Sequence, residues 1–169
     1  SFALQSEYVP EINKNFEQTL VFLDTNFLFS VLEMRFPAEN KPAKELFDML
    51  KPNKHFKLMV FDFTIQEMIK VLSKYTENQH YFVPNIRVAS IFSSLKSKGW
   101  SRSSVRDFIA HVEDKLAALG INVFPSGIDI NKFEVEANVS SALSNYKSHQ
   151  GDWCMKHDLA AISKIAELR

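Results

Sequence analysis

Val21-Phe22-Leu23-Asp24-Thr25-Asn26-Phe27-Leu28-Phe29 is an apolar run that stops on a carboxylate and resumes with helical spacing. Such a run predicts a buried parallel strand, a short turn and a helix. Asp24 then falls at the carboxyl end of the strand, where open α/β sheets build their sites. Two more acids occupy comparable places: Glu67 in Thr64-Ile65-Gln66-Glu67 and Asp158 in Lys156-His157-Asp158-Leu159. Three acids converging on one sheet edge are what a divalent-metal site needs.

The 169 residues, 46% of them hydrophobic, suffice for one sizeable core, and fifteen Phe predict that it is rich in aromatic rings. No run of eighteen apolar residues is present, so no membrane span is expected. The first twenty residues carry Glu7, Glu11 and Glu17 and lack a signal-peptide pattern, which points to the cytoplasm. A single cysteine, Cys154, excludes an intramolecular disulfide and any zinc site built from several cysteines.

The formal net charge of zero disfavours a protein that coats nucleic acid. Its distribution is uneven. No acid occurs between Glu77 and Asp107, where Arg87, Lys96, Lys98, Arg102 and Arg106 accompany Trp100. A basic block with an aromatic residue can track a phosphate backbone, although an ordinary solvated face has the same composition.

Residues 1–18 read as a polar lead-in and residues 19–169 as one domain. Strands are expected over 19–23, 57–61 and 121–124. Helices are expected over 27–34, 43–50, from Thr64 onward, 87–95, 131–146 and 155–168. A further helix opens at a capping box formed by Ser104 and Asp107, carries the stripe Val105, Phe108, Ile109, Val112, Leu116 and Leu119, and ends at Gly120. Strands alternating with helices predict a three-layer α/β/α domain around a mostly parallel sheet.

Each acid has a competing structural role. Asp24 suits the N-cap of the helix that follows it. Thr64-x-x-Glu67 fits the reciprocal box in which a glutamate reaches back to its cap. Asp158 precedes Ile162 and Ile165 by four and seven residues, which puts its carboxylate on an apolar helix face, a costly place unless it is paired or metal-bound. Asp62 and Asp152 adjoin these positions as substitutes. His157 is a secondary candidate for contact with a substrate phosphate, and a lone histidine beside a helix start is otherwise expected at the surface. The four glycines never cluster, so no phosphate-cradling loop is present.

Three motifs together resemble the PIN-domain nucleases: Val21-Phe22-Leu23-Asp24-Thr25-Asn26, Thr64-Ile65-Gln66-Glu67-Met68-Ile69 and Lys156-His157-Asp158-Leu159-Ala160-Ala161-Ile162. They frame about residues 20–168, and the middle of the chain matches only as helical filler. The resemblance implies a PIN-like fold in which Asp24, Glu67 and Asp158 are catalytic metal-site acids, supported by Asn26 and Thr25 in the first turn. It implies Mg²⁺ or Mn²⁺ as cofactor and RNA, or secondarily DNA, as substrate, guided by the basic block. It also implies a further strand and acid after Arg169, so the chain is expected to be truncated and part of something longer.

A catalytically silent PIN-like module that binds RNA or scaffolds a protein partner is the alternative. A homo-oligomer is compatible with either. A haloacid-dehalogenase-type phosphatase also places an Asp after its first strand, but it needs a second acid two residues on, where Asn26 stands.

Overall fold

The computed structural model describes residues 18–77, 91–134 and 152–169, with side chains from Met155 onward in the last stretch. The expected lead-in and most of the expected 131–146 helix lie outside these residues; 131–134 form a turn and an irregular stretch. The described residues form a mixed α/β fold of three strands and seven helices. In chain order these are β1 (Thr19–Phe22), α1 (Thr25–Val31), α2 (Pro37–Leu50), β2 (Phe56–Phe61), α3 (Asp62–Glu77), α4 (Ile91–Ser97), α5 (Arg102–Ala110), α6 (Val112–Ala118), β3 (Asn122–Phe124) and α7 (Asp152–Glu167).

The sheet order is β1-β2-β3 and both pairings are parallel, with Val21 opposite Leu58 and Val60 opposite Val123. All three strands therefore end at one edge. β2 is central and buried over its last four residues. β1, expected to be a buried strand, is instead an outer strand of the described sheet with Thr19 and Leu20 exposed. Only Leu23, whose N–H still donates to the Met59 carbonyl at 2.9 Å, is fully packed.

Alternation along the strands separates two apolar clusters. Val21, Leu23, Leu58 and Val60 pack with Leu28, Met68, Leu72, Leu95, Val105 and Leu116 of α1, α3, α4, α5 and α6. Phe22, Phe61 and Phe124 face the other way, toward Ile130, Ala160 and Ile165 of the 128–133 segment and α7. Here the expected aromatic core is real: Phe22 and Phe61 stack at 4.1 Å, Phe61 and Phe63 at 4.8 Å, and Phe124 meets Phe61 edge-on.

Several boundaries differ from expectation for local reasons. α1 starts at Thr25, two residues early, because Asp24 caps it. α2 starts at Pro37, a residue suited to a first helical position, and runs through Pro42 at the loss of one ladder hydrogen bond. α3 follows β2 without a gap, so Thr64 lies inside the helix rather than at its start. The capping residue of α5 is Ser101, whose hydroxyl accepts from the Ser104 N–H at 3.0 Å, so Ser104 is not the cap.

The long helix expected from Ser104 to Gly120 is broken at His111. Its ring N–H donates to the Asp107 carbonyl at 2.9 Å, the acceptor its backbone would otherwise use, and its backbone N–H turns to Phe108. The apolar stripe survives the break, with Val105, Phe108, Val112 and Leu116 all buried.

Gly120 ends α6 at φ +81°, and a Cβ there would meet nothing nearer than Lys51 Cε at 4.0 Å. Gly120→Ala is thus free of a clash and is expected to lose about 1 kcal/mol through left-handed backbone strain. The denaturant midpoint should fall with an unchanged slope. Glu33 also has positive φ, at 57°, and Lys44 bonds its carboxylate at 2.5 Å and holds that carboxyl below its usual pKa.

Candidate metal centre

The carboxyl ends of β1 and β2 present the first two expected acids to one crevice. Asp24 follows β1 directly and fills the first of the two roles the sequence allowed, the helix cap. Its Oδ2 accepts the Asn26 N–H at 3.1 Å as the helix cap, and its side chain stays exposed. Glu67 lies on the second turn of α3, sixth from the helix start, so the reciprocal capping box is not formed. Its Oε2 accepts the Thr25 hydroxyl instead, which ties α3 to the first turn of α1. Thr25 is buried, so this bond is shielded from water.

The third member of the cluster is a histidine. His157 on α7 is 2% exposed, contrary to the surface position expected for it. Its Nε2 is 3.3 Å from Glu67 Oε2 and 3.1 Å from the Thr64 hydroxyl. The edge of its ring meets Phe63 at 5.1 Å, which fixes the plane of the imidazole. One ligand atom each from Asp24, Glu67 and His157 lies within 4.8 Å of the others. These three could hold a metal ion. Two ligands each about 2.1 Å from one ion stand at most about 4.2 Å apart, so a small closure or one bridging water completes the fit.

Asp158 meets the other nitrogen of the imidazole. Its Oδ1 is 3.5 Å from His157 Nδ1, and its side chain is 40% exposed. The expected apolar face through Asp158 and Ile162 is not the inner face of α7, because Ile162 is 64% exposed. The inner face runs one position earlier, through His157, Ala160, Ala161 and Ile165. That offset carries the histidine inward.

The neighbouring residues have definite structural tasks. Asp62 accepts the Phe63 N–H at 2.9 Å and both the N–H and hydroxyl of Ser126, at 3.2 and 2.6 Å, fastening the exit of β3 to that of β2. It is a tie between strands. The Asp152 side chain lies outside the described residues. Asn26 braces the Asp24 turn through its backbone, while its side-chain oxygen accepts from Arg35 Nη1 at 3.0 Å. Arg35 in turn pairs with Glu39 at 2.6 Å. No spacing in the sequence marks Arg35, since it comes from the irregular turn between α1 and α2.

Of the basic block, Arg87 lies outside the described residues. Lys96, Arg102 and Arg106 are exposed on α4 and α5. Lys98 is exposed too, but its ammonium donates to the carbonyls of Glu33 and Arg35, the latter at 2.6 Å, and so ties α4 to the α1–α2 turn. Trp100 is half-buried against Phe108 and borders an open pocket of about 630 Å³ that also touches Lys98, Ser103, Ser104 and Lys115.

Among the described residues no helix is long and apolar enough to cross a membrane. Comparison of the chain with protein-family models, with curated proteins and with solved structures finds no match.

Proposed function

We propose that the chain is a PIN-like, metal-dependent nuclease that hydrolyses RNA phosphodiester bonds at the crevice formed by Asp24, Glu67 and His157. The observation that carries this reading is the convergence of those three ligand atoms at the carboxyl edge of a parallel sheet. The same edge is where the three resembling motifs lie, and parallel α/β sheets bind ligands there.

Two carboxylates and an imidazole suit a divalent ion of the Mn²⁺ or Zn²⁺ kind, and Mg²⁺ less well. Such an ion supplies charge that polarises the scissile phosphate and acidifies a bound water. Asp24, exposed at the mouth, is the ligand open to substrate. Glu67 is 15% exposed and held by the Thr25 hydroxyl, so it orients the attacking water and takes its proton. The new P–O bond forms as the bond to the leaving ribose oxygen breaks. Arg35, bonded to the Asn26 side chain and paired with Glu39, adds a guanidinium at the rim of the Asp24 turn. Lys96, Arg102 and Arg106 guide the strand, with Trp100 available for a base.

The test is cleavage of an end-labelled single-stranded RNA by the 169-residue chain in Mn²⁺, Zn²⁺ or Mg²⁺, with and without chelator. Chelator-sensitive cleavage is expected, with slower cutting of the matching DNA. An RNA left intact in every ion, by this chain and by one extended past Arg169, overturns the nuclease reading and leaves the RNA-binding or scaffolding module.

A further inference from the structure

We infer that His157 is a direct nitrogen ligand of the centre and that Asp158 aims it, so that the site selects Zn²⁺ and Mn²⁺ over Mg²⁺. This rests on the reading of Asp24 and Glu67 as a metal centre, and it stands apart from the nuclease step. The resemblance implied an all-oxygen centre with Asp158 among its ligands. The geometry points to another division of labour.

Two adjacent ligands about 2.1 Å from one ion are about 3.0 Å apart in an octahedral site and about 3.4 Å in a tetrahedral one, and His157 Nε2 stands 3.3 Å from Glu67 Oε2. The two acids also meet different nitrogens of the ring, Glu67 Oε2 at 3.3 Å from Nε2 and Asp158 Oδ1 at 3.5 Å from Nδ1. Asp158 therefore belongs to the Nδ1 side of the histidine. With an ion beside Glu67, Nε2 is the nitrogen placed to bind it, and the carboxylate at Nδ1 then holds the remaining proton.

The ring is 3% exposed and held edge-on by Phe63, so its nitrogen is presented without a search through rotamers. The Thr64 hydroxyl, 3.1 Å from Nε2, fills that lone-pair position and gives it up when an ion enters. Imidazole is a good ligand for Zn²⁺ and other transition ions, whereas Mg²⁺ prefers carboxylate, carbonyl and water oxygen. A buried His157 thus sets ion preference through chemistry rather than charge alone.

The competing possibility is that His157 only bridges Glu67 and Asp158 as a buried polar link. Titration of the whole 169-residue chain with Zn²⁺, Mn²⁺ and Mg²⁺ alone, read against a competing chelator dye, separates the two. The wild-type chain should bind Zn²⁺ at least about tenfold more tightly than Mg²⁺. His157→Gln should weaken Zn²⁺ about a hundredfold and Mg²⁺ less than about threefold. Asp158→Asn should weaken Zn²⁺ about tenfold, the usual effect of losing the group behind a histidine ligand.

A direct readout needs no folded variant: Zn²⁺ should shift the ¹⁵N resonance of His157 Nε2 in the wild-type chain and leave Nδ1 protonated. An unmoved Nε2 resonance overturns the inference. Equal Zn²⁺ binding by folded His157→Gln does the same, as does an equal loss of Mg²⁺ and Zn²⁺ in Asp158→Asn. If Zn²⁺ binds through His157 but RNA is never cut, the nuclease reading falls and this one stands. If RNA is cut in Mg²⁺ while His157 leaves ion affinity unchanged, the reverse holds.

Discussion

Asp24→Asn is expected to lower metal-dependent cleavage of RNA at least about a hundredfold while moving folding stability by less than about 1 kcal/mol. The two parts of that result follow from the two tasks of one side chain. As a cap, Asp24 accepts the Asn26 N–H at the start of α1, and asparagine caps a helix as well as aspartate does. As the proposed ligand, it would contribute a full negative charge within 4.8 Å of Glu67 and His157, and an amide oxygen replaces that charge poorly. In the empty site the substitution also removes repulsion between Asp24 and Glu67, which offsets any small loss at the cap.

The measurement is initial cleavage rate at saturating Mn²⁺ beside a denaturant midpoint for the same preparation. A stability loss above about 2 kcal/mol would make Asp24 a structural cap first. Wild-type rates in the variant would mean that the chemistry lies elsewhere. Because a ligand supplies both substrate polarisation and water activation, its loss should appear in kcat more than in KM.

The strand-turn-helix around Asp24 was legible because a four-residue apolar run ending on Asp has few other ways to fold. Glu67 was legible as a residue of the same sheet edge, yet a capping box offered it an equally good structural place. Only the direct junction of β2 and α3, which moves Glu67 to the sixth helical position, removes that alternative. His157 was set aside because a single histidine carries no period of its own. The helix phase on α7 is decided by packing: Ala160 and Ala161 are small enough to approach the Phe61 and Phe63 rings, while Ile162 turns outward. A hydropathy stripe drawn through Asp158, Ile162 and Ile165 favours the largest apolar residues; it is right at Ile165 and one position late at Asp158 and Ile162. His111 is a similar case, since a side-chain hydrogen bond, invisible to periodicity, splits one expected helix into two.

Phe63→Ala should have the largest effect on stability, about 3–5 kcal/mol. Phe63 is fully buried and links the sheet to the centre, with Phe61 stacked at 4.8 Å on one side and His157 edge-on at 5.1 Å on the other. Truncation removes the ring contacts and leaves a cavity between β2 and α7 that the rigid strand cannot close. The backbone contributes little to the loss, since Phe63 is the second residue of α3 and alanine suits a helix at least as well. Phe63→Leu, which fills most of the space, should cost less than about 1.5 kcal/mol. The pair separates packing from ligand placement. If the ring also holds His157 at the angle its Nε2 needs, Phe63→Leu should weaken Zn²⁺ severalfold at nearly native stability, because a branched aliphatic side chain offers no flat wall. Denaturant midpoints and Zn²⁺ titrations on both variants provide the readout. Native Zn²⁺ affinity in Phe63→Leu would show that Glu67 and Asp158 orient the imidazole without help from the aromatic ladder.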